Sequence, residues 1–373
     1  MRLGLMHGDG IGHEIVPATR QIVDAALSSV HAPPVEWVEL PLGSTAIDTH
    51  GTPIPDETID ALGQLQGWIL GPHDSASYPE RFRGQLTPGG VIRKKFELFA
   101  NIRPAAAFPG VKAMVPDMDL VIVRENTEGL YADRNMAVGS GEFMPTPDIA
   151  LAVGVFTRAA CERIARTAFT LASRRRSHVT IVHKANVLTL TTGLFRDACR
   201  TVAAEFPHVV VDDEHVDAMA AHLVRRGGDF DVVVTENMFG DILSDLAGEL
   251  SGSLGTAPSI NASETQVMAQ AAHGAAPDIA GKNRANPTAL FLSSAMMLDW
   301  LGDAREIGCC LRQHAGFQMP FARPSRRASR PPTSAVWHRP ANFPKSCTHT
   351  LCVADSCTTG RNLAKSATVE LLP

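Results

Sequence analysis

Thr235-Glu236-Asn237-Met238-Phe239-Gly240-Asp241-Ile242-Leu243-Ser244-Asp245 follows directly on an apolar run, Asp231-Val232-Val233-Val234. Consecutive valines without polar alternation read as a strand buried on both faces of a parallel sheet. After Gly240 the pattern becomes helical, with Ile242, Leu243, Leu246 and Leu250 apolar. Asp241 and Asp245 lie four apart, so a helix sets both carboxylates on one face. Such a pair is destabilising by about 0.2–0.5 kcal/mol unless a cation sits between the two charges. A hard divalent ion takes oxygen ligands of this kind. The plainer reading makes Asp241 a first-turn acid favoured by the helix dipole and Asp245 a solvated side chain.

The strand-then-helix unit repeats along the chain. Arg2–Met6 predicts a strand leading into His7-Gly8-Asp9-Gly10-Ile11-Gly12, whose glycine spacing is not that of a dinucleotide-binding G-x-G-x-x-G turn. It reads instead as a tight turn before a helix from His13 to Val30. A strand at Val35–Leu40, a helix capped by Asp56 and a buried strand at Gly67–Gly71 follow. Residues 71–92 read as a Gly/Pro-rich loop of the length that is usually functional. Asp119–Val123 predicts a buried strand, and Arg124-Glu125-Asn126-Thr127-Glu128-Gly129-Leu130-Tyr131 leaves its carboxyl end, where open α/β sheets place ligands. Leu151–Arg175 reads as one long helix, with Arg174, Arg175 and Arg176 suiting its dipole. His178–Val182 is a strand followed by His183-Lys184-Ala185-Asn186. A helix from Leu194, a strand at Val209–Val211 and a helix from about His215, carrying Asp217, come next. Residues 252–260 read as loop, 273–281 as a rigid Gly/Pro loop, and Asn286-Pro287-Thr288 as the start of a helix through Leu298.

With 373 residues, 45% apolar and 20% charged, the chain fits an ordinary soluble protein of two domains or one large α/β unit. A net charge of −5 gives nucleic acid no basic surface overall. No run approaches a membrane span, and the start enters a strand rather than a signal peptide, so a cytoplasmic location is expected. The totals hide an asymmetry: the first 308 residues carry 37 acidic against 25 basic side chains, whereas the last 65 carry nine basic against Asp355 and Glu370. Those last residues also hold five of the seven cysteines, in spacings that fit neither a zinc site nor a redox pair. Residues 309–373 therefore stand apart as an atypical tail, explained by disorder or by a frameshift near residue 308. An unbroken reading frame through those codons would remove the frameshift.

The segments Gly8–Gly12, Phe99–Pro104, Val123–Tyr131, His183–Leu188, Val216–Ala220, Asn237–Leu246 and His273–Pro287 together resemble the β-decarboxylating dehydrogenases, the isocitrate/isopropylmalate dehydrogenase family, in order and over residues 1 to about 305. The resemblance implies an isopropylmalate dehydrogenase-like α/β fold rather than a Rossmann fold, with two α/β domains and a cleft between them. Residues 1–99 with 250–308 would form a large NAD-binding domain and 100–249 a small dimerisation and metal/substrate domain. It also implies a homodimer with shared active sites and a substrate that is a 2-hydroxy di- or tricarboxylate, a malate substituted at C3.

By resemblance, Arg93, Arg103 and Arg124 are carboxylate clamps, and Asp217, Asp241 and Asp245 hold Mg²⁺ or Mn²⁺. Lys184 is the base-side residue and Tyr131 the acid, with Lys184 and Asp217 reaching the site from the second subunit. His273, Gly274, Ala275, Ala276, Pro277 and Asp278 hold the adenosine part of the cofactor, and Asn286 its adenine. Asp278 favours NAD, since a carboxylate accepts from a ribose 2′-hydroxyl and repels a 2′-phosphate. The C3 substituent would be read by Thr87, Gly89 and Gly90, which match neither the leucine pair of isopropylmalate enzymes nor the Ser and Asn of isocitrate enzymes. Two glycines there leave room for an unusual substituent. Leu86 and Gln270 stand where isopropylmalate enzymes have Glu, which places the isocitrate type slightly ahead of 3-isopropylmalate. Homoisocitrate, tartrate and D-malate enzymes and a non-catalytic regulatory subunit are the alternatives.

Overall fold

The computed structural model describes residues 1–130 and 141–302. Its strands are β1 (Arg2–Met6), β2 (Glu36–Glu39), β3 (Gly67–Leu70), β4 (Ala100–Ala106), β5 (Asp119–Glu125), β6 (Glu142–Thr146), β7 (Ile149–Ala152), β8 (His178–His183), β9 (Val210–His215), β10 (Val232–Thr235), β11 (Pro258–Ala262) and β12 (Val267–Ala271). Its helices are α1 (Gly12–Ser29), α2 (Ser44–His50), α3 (Asp56–Gly63), α4 (Pro88–Lys95), α5 (Arg158–Ala172), α6 (Thr191–Ala203), α7 (Val216–Arg226), α8 (Asn237–Ser251) and α9 (Thr288–Trp300).

Ten strands form one sheet in the order β2-β1-β3-β12-β11-β4-β5-β10-β8-β9. Two parallel quartets, β2-β1-β3-β12 and β5-β10-β8-β9, are joined through β11 and β4, where successive neighbours run antiparallel. The apolar runs are legible in the packing. On β5, Val121 and Val123 belong to one core cluster and Leu120 and Ile122 to another. On β10, Val232 and Val234 face the first and Val233 the second. The period-two alternation of side chains thus feeds two cores at once. Helices α5 and α6 cover the first face, and α7 and α8 the second. In the other quartet α1 and α9 pack on Leu3, Leu5 and Ile69, while Leu62 of α3 and Ile92 of α4 pack against Trp68 and Leu70.

Several sequence expectations need correction. The long helix expected from Leu151 begins at Arg158; Leu151 lies in β7, paired with β6 in a separate two-stranded sheet. Arg175 and Arg176 lie past the end of α5 and bind the starts of strands rather than a dipole. Arg175, whose side chain is only 3% exposed, is 2.7 Å from Asp231 and 2.9 Å from Asp119, where β10 and β5 begin. The expected loop at 71–92 ends in α4, and that at 252–260 runs into β11. Asp56 is the first helical residue of α3 and makes no side-chain cap; Pro55 occupies that place. Among the described residues no helix is long and apolar enough to cross a membrane.

The Gly8–Gly12 turn does more than start α1. Gly8 and Gly10 have positive φ, and side chains there would meet Pro72 O and Ala275 O at 2.1 and 2.2 Å. Asp9 between them is buried and accepts from Ser44 N–H (2.7 Å), Asp74 N–H (2.8 Å) and the Tyr78 hydroxyl (2.6 Å). Burial pushes the Asp9 carboxyl up, but the Tyr78, Ser44 and Asp74 donors outweigh it and hold it below its usual 3.8. A depressed carboxyl contributes stability that is complete above the usual value and fades as pH falls through the native one. Tyr78→Phe removes a hydrogen bond to a charged group and is expected to destabilise by about 1.5–3 kcal/mol. Urea unfolding at neutral pH should show the loss, and the difference should shrink in acid.

Candidate active site

The cleft opens where the sheet changes direction. It has a volume of about 810 Å³ and is lined by Arg93, Arg103, Arg124, Asp241, Thr87 and Asn101, with Leu86 and Gln270 also on its wall. Arg124 comes from the end of β5, which pairs with Thr235 of β10 on one side and Asn101 of β4 on the other. Asp241 and Asp245 come from α8, which begins immediately after β10.

Helix α8 starts earlier than the glycine suggests. Glu236 is its N-cap and accepts from Met238 and Phe239 N–H at 3.1 and 2.8 Å, so Gly240 lies inside the first turns. Burial pushes the Glu236 carboxyl up, against those two donors. Gly240 is required by Arg124: a Cβ there would stand 2.6 Å from Arg124 Cγ and 2.7 Å from its Cβ. Arg124, 8% exposed, donates from Nε to Asn237 Oδ1 at 2.9 Å and also donates to Asp241. Arg103 spans the acidic pair, with Nη1 2.9 Å from Asp245 and Nη2 3.4 Å from Asp241. The cation expected between the two carboxylates is thus, in the chain alone, a guanidinium.

Burial lowers the Arg124 guanidinium to about 10, aided by the Arg103 and Arg93 charges and opposed by Asp241. Three guanidinium groups held in one cleft suit it to an anion. Burial raises the Asp245 carboxyl, with Asp241 adding to the rise and Arg103 opposing it.

Lys184 and Asp217 are brought together elsewhere: Lys184, at the end of β8, donates to Asp217 in the first turn of α7. That bond lowers the exposed Asp217 carboxyl. Among the described residues no three His, Cys, Asp or Glu side chains gather in a way that could hold a metal. Asp241 and Asp245 supply two hard oxygen donors, which suits Mg²⁺ or Mn²⁺, and a third must come from outside this group. Tyr131 lies outside the described residues.

Thr87 is the N-cap of α4 and accepts from Gly90 N–H at 3.2 Å. The two glycines do not open the cleft: a Gly89 side chain would meet His73 Nε2 at 3.0 Å and Arg93 Nη1 at 3.3 Å, and Gly90 faces Thr87 and Leu86. In the 273–278 loop, Ala275 is buried and its carbonyl accepts from Ile11 N–H at 2.9 Å, while Asp278 is exposed. His273 Nδ1 lies 3.0 Å from Gly274 O, and its Nε2 is buried without a hydrogen-bond partner. Asn286 accepts from Thr288 N–H and Oγ1, ordering the start of α9 beside that loop.

Sequence reasoning missed a buried amide cluster on the cleft wall. Asn101 donates to Ser259 Oγ at 2.9 Å and to Asn261 Oδ1 at 3.1 Å, and Asn126 donates to the same Asn261 oxygen at 3.1 Å. The one sequence signal is an Asn between apolar neighbours in Phe99–Ile102; Ser259 and Asn261 are hidden because β11 reads as loop. Asn237, which holds Arg124, carries no sequence signal of that role.

A mixed α/β sheet with guanidinium groups and paired carboxylates at its reversal frames a site suited to a small anion. Comparison with known proteins narrows this. The isocitrate/isopropylmalate dehydrogenase family model matches residues 2–308, and the chain belongs to that family. An isocitrate/homoisocitrate dehydrogenase of Thermus thermophilus is 45% identical over 307 residues, covering 81% of this chain and 86% of the relative. A 3-isopropylmalate dehydrogenase of Methanothermobacter thermautotrophicus is 41% identical, covering 82% and 87%. Among solved structures, an isocitrate dehydrogenase from Methylococcus capsulatus superposes with a TM-score of 0.74 at 39% identity, over 84% of this chain and 88% of that one.

Proposed function

We propose that the protein catalyses the NAD-dependent, Mg²⁺- or Mn²⁺-dependent oxidative decarboxylation of a 3-substituted malate, isocitrate type ahead of 3-isopropylmalate. The observation that carries this reading is Arg93, Arg103, Arg124 and Asp241 in one cleft, with Asp245 paired to Arg103 beside it. Arg93, Arg103 and Arg124 bind the substrate carboxylates, for which planar guanidinium groups are suited. Asp241 and Asp245, with Asp217 of a second copy, hold the metal. When bound, the metal supplies Lewis acidity at the C2 oxygen and adjacent carboxylate, and the nicotinamide supplies the hydride acceptor. Lys184 of that second copy takes the C2 hydroxyl proton, and Tyr131 returns a proton to the carbon that CO₂ leaves.

The unit is therefore a homodimer with shared sites. Residues 1–99 with 250–308 form the cofactor domain and 100–249 the dimerisation and metal/substrate domain. A cytoplasmic location accords with this chemistry. Asp278, exposed on the 273–278 loop, supports NAD over NADP. Leu86 and Gln270 on the cleft wall support the isocitrate type.

The test is reduced-nicotinamide formation from NAD and from NADP, with Mg²⁺ or Mn²⁺, against isocitrate, homoisocitrate, 3-isopropylmalate, tartrate and D-malate. Turnover of isocitrate with NAD is the expected result, and it should stop when the metal is chelated. Silence with all five acids would turn the reading towards a non-catalytic regulatory subunit.

A further inference from the structure

Lys184 sits on a turn whose two flanking peptide groups are both held by side chains. The N–H of Lys184 itself donates to Thr192 Oγ1 at 3.2 Å, and the Thr192 hydroxyl donates to Leu188 O at 3.0 Å. The next N–H, that of Ala185, donates to Nδ1 of His183 at 3.0 Å. A ring nitrogen that accepts carries no proton, so the neutral imidazole has its hydrogen on Nε2. Nε2 lies 3.0 Å from Asp213 Oδ2 on the neighbouring strand β9, positioned to donate to it. Asp213 is held in turn by Arg200. His183 is 2% exposed, and burial keeps its ring below the usual imidazole value despite Asp213, in the neutral form that the Ala185 bond needs.

We propose that His183 is a positioning residue: Asp213 selects its Nε2–H tautomer, the free Nδ1 clamps the peptide after Lys184, and the clamp aims the Lys184 side chain. A histidine that merely filled the core would need neither nitrogen in a particular state. The proposal rests on the reading of Lys184 as the base-side group.

The experiment compares His183→Leu, His183→Asn and Lys184→Ala, with the fastest of the five acids as substrate. Lys184→Ala tests the reading and is expected to cut kcat by about 100-fold or more. His183→Leu keeps the volume and loses the acceptor; kcat is expected to fall about tenfold or more while KM for NAD stays within about twofold. Asn places an amide oxygen near the Nδ1 position, so His183→Asn is expected to recover most of the loss. Asp213→Ala, on a partly exposed strand edge, frees the tautomer without opening the core and should lower kcat in the same direction. If Lys184→Ala is silent, the Lys184 assignment falls and the clamp with it. If Lys184→Ala is inactive but His183→Leu and Asp213→Ala turn over normally, or Leu and Asn lose equally, the clamp alone is overturned.

Discussion

Gly240→Ala is expected to lower kcat/KM by about 100-fold and to destabilise the fold, although it replaces the poorer helix former by the best. In an exposed helix the change would add about 1 kcal/mol of stability. Here the new Cβ would stand 2.6 Å from Arg124 Cγ, 2.7 Å from its Cβ and 3.1 Å from its Cδ. These atoms are the root of a buried side chain fixed on β5, not a tip that can swing away. Either α8 lifts from the sheet or Arg124 leaves Asn237 and Asp241. Overpacking of this kind costs about 1–3 kcal/mol, which meets or exceeds the propensity gain. A misplacement of about 1 Å at a reacting centre can cost about 100-fold in rate, so activity is the larger effect. Gly248→Ala on the same helix is the control, because its Cβ would meet the side-chain end Leu254 Cδ2 at 3.2 Å. Thermal melts and steady-state kinetics of the two variants decide it. A Gly240→Ala protein as active as the parent would show that Arg124 is not held by the close approach of α8.

The same glycine shows where the sequence is and is not legible. The strands β5, β8 and β10 are readable because valine and isoleucine runs have no other economical place than a sheet covered on both faces. The acidic pair is readable because helical spacing alone brings Asp241 and Asp245 to one face. Gly240 reads as a break before the helix, since glycine weakens helices in general; its role is proximity, and only the partner Arg124, 116 positions earlier, reveals that. The amide cluster of Asn101, Asn126 and Asn261 is hidden for a similar reason, as its members meet across strands far apart in the chain. Arg175 reads as a dipole complement because local charge is the only context a sequence offers; its buried partner Asp231 is a tertiary fact. The 273–281 loop is visible as a rigid Gly/Pro segment, but not that it leans on Ile11 through the Ala275 carbonyl.

Asp245→Asn separates metal binding from folding. Without metal, Asp245 is half-exposed and pairs with Arg103 at 2.9 Å. A pair of that exposure contributes about 0–1 kcal/mol, and losing it also relieves the repulsion from Asp241. The metal-free variant is therefore expected to unfold within about 0.5 kcal/mol of the parent. With Mn²⁺ the two should diverge. Altering even the groups that support a metal ligand costs about 10–100-fold in affinity, and removing a ligand should reach the upper end. At Mn²⁺ near 100 times the parent's Kd, linkage stabilises the parent by about 2.7 kcal/mol, but a variant with Kd raised 100-fold by only about 0.4 kcal/mol. The shift of Tm with Mn²⁺ should thus nearly vanish, whatever substrate the enzyme prefers. Arg103 sharpens the comparison: it holds Asp245 by Oδ1 alone, and an ion on this carboxylate weakens its pull on the guanidinium, which favours Arg103 turning to a substrate carboxylate. Metal and acidic substrate should therefore bind the parent cooperatively, and Asp245→Asn should lose that cooperativity together with turnover at limiting Mn²⁺. An unchanged Mn²⁺-dependent Tm in the variant would remove Asp245 from the ligand set and leave the Arg103 ion pair as its whole role.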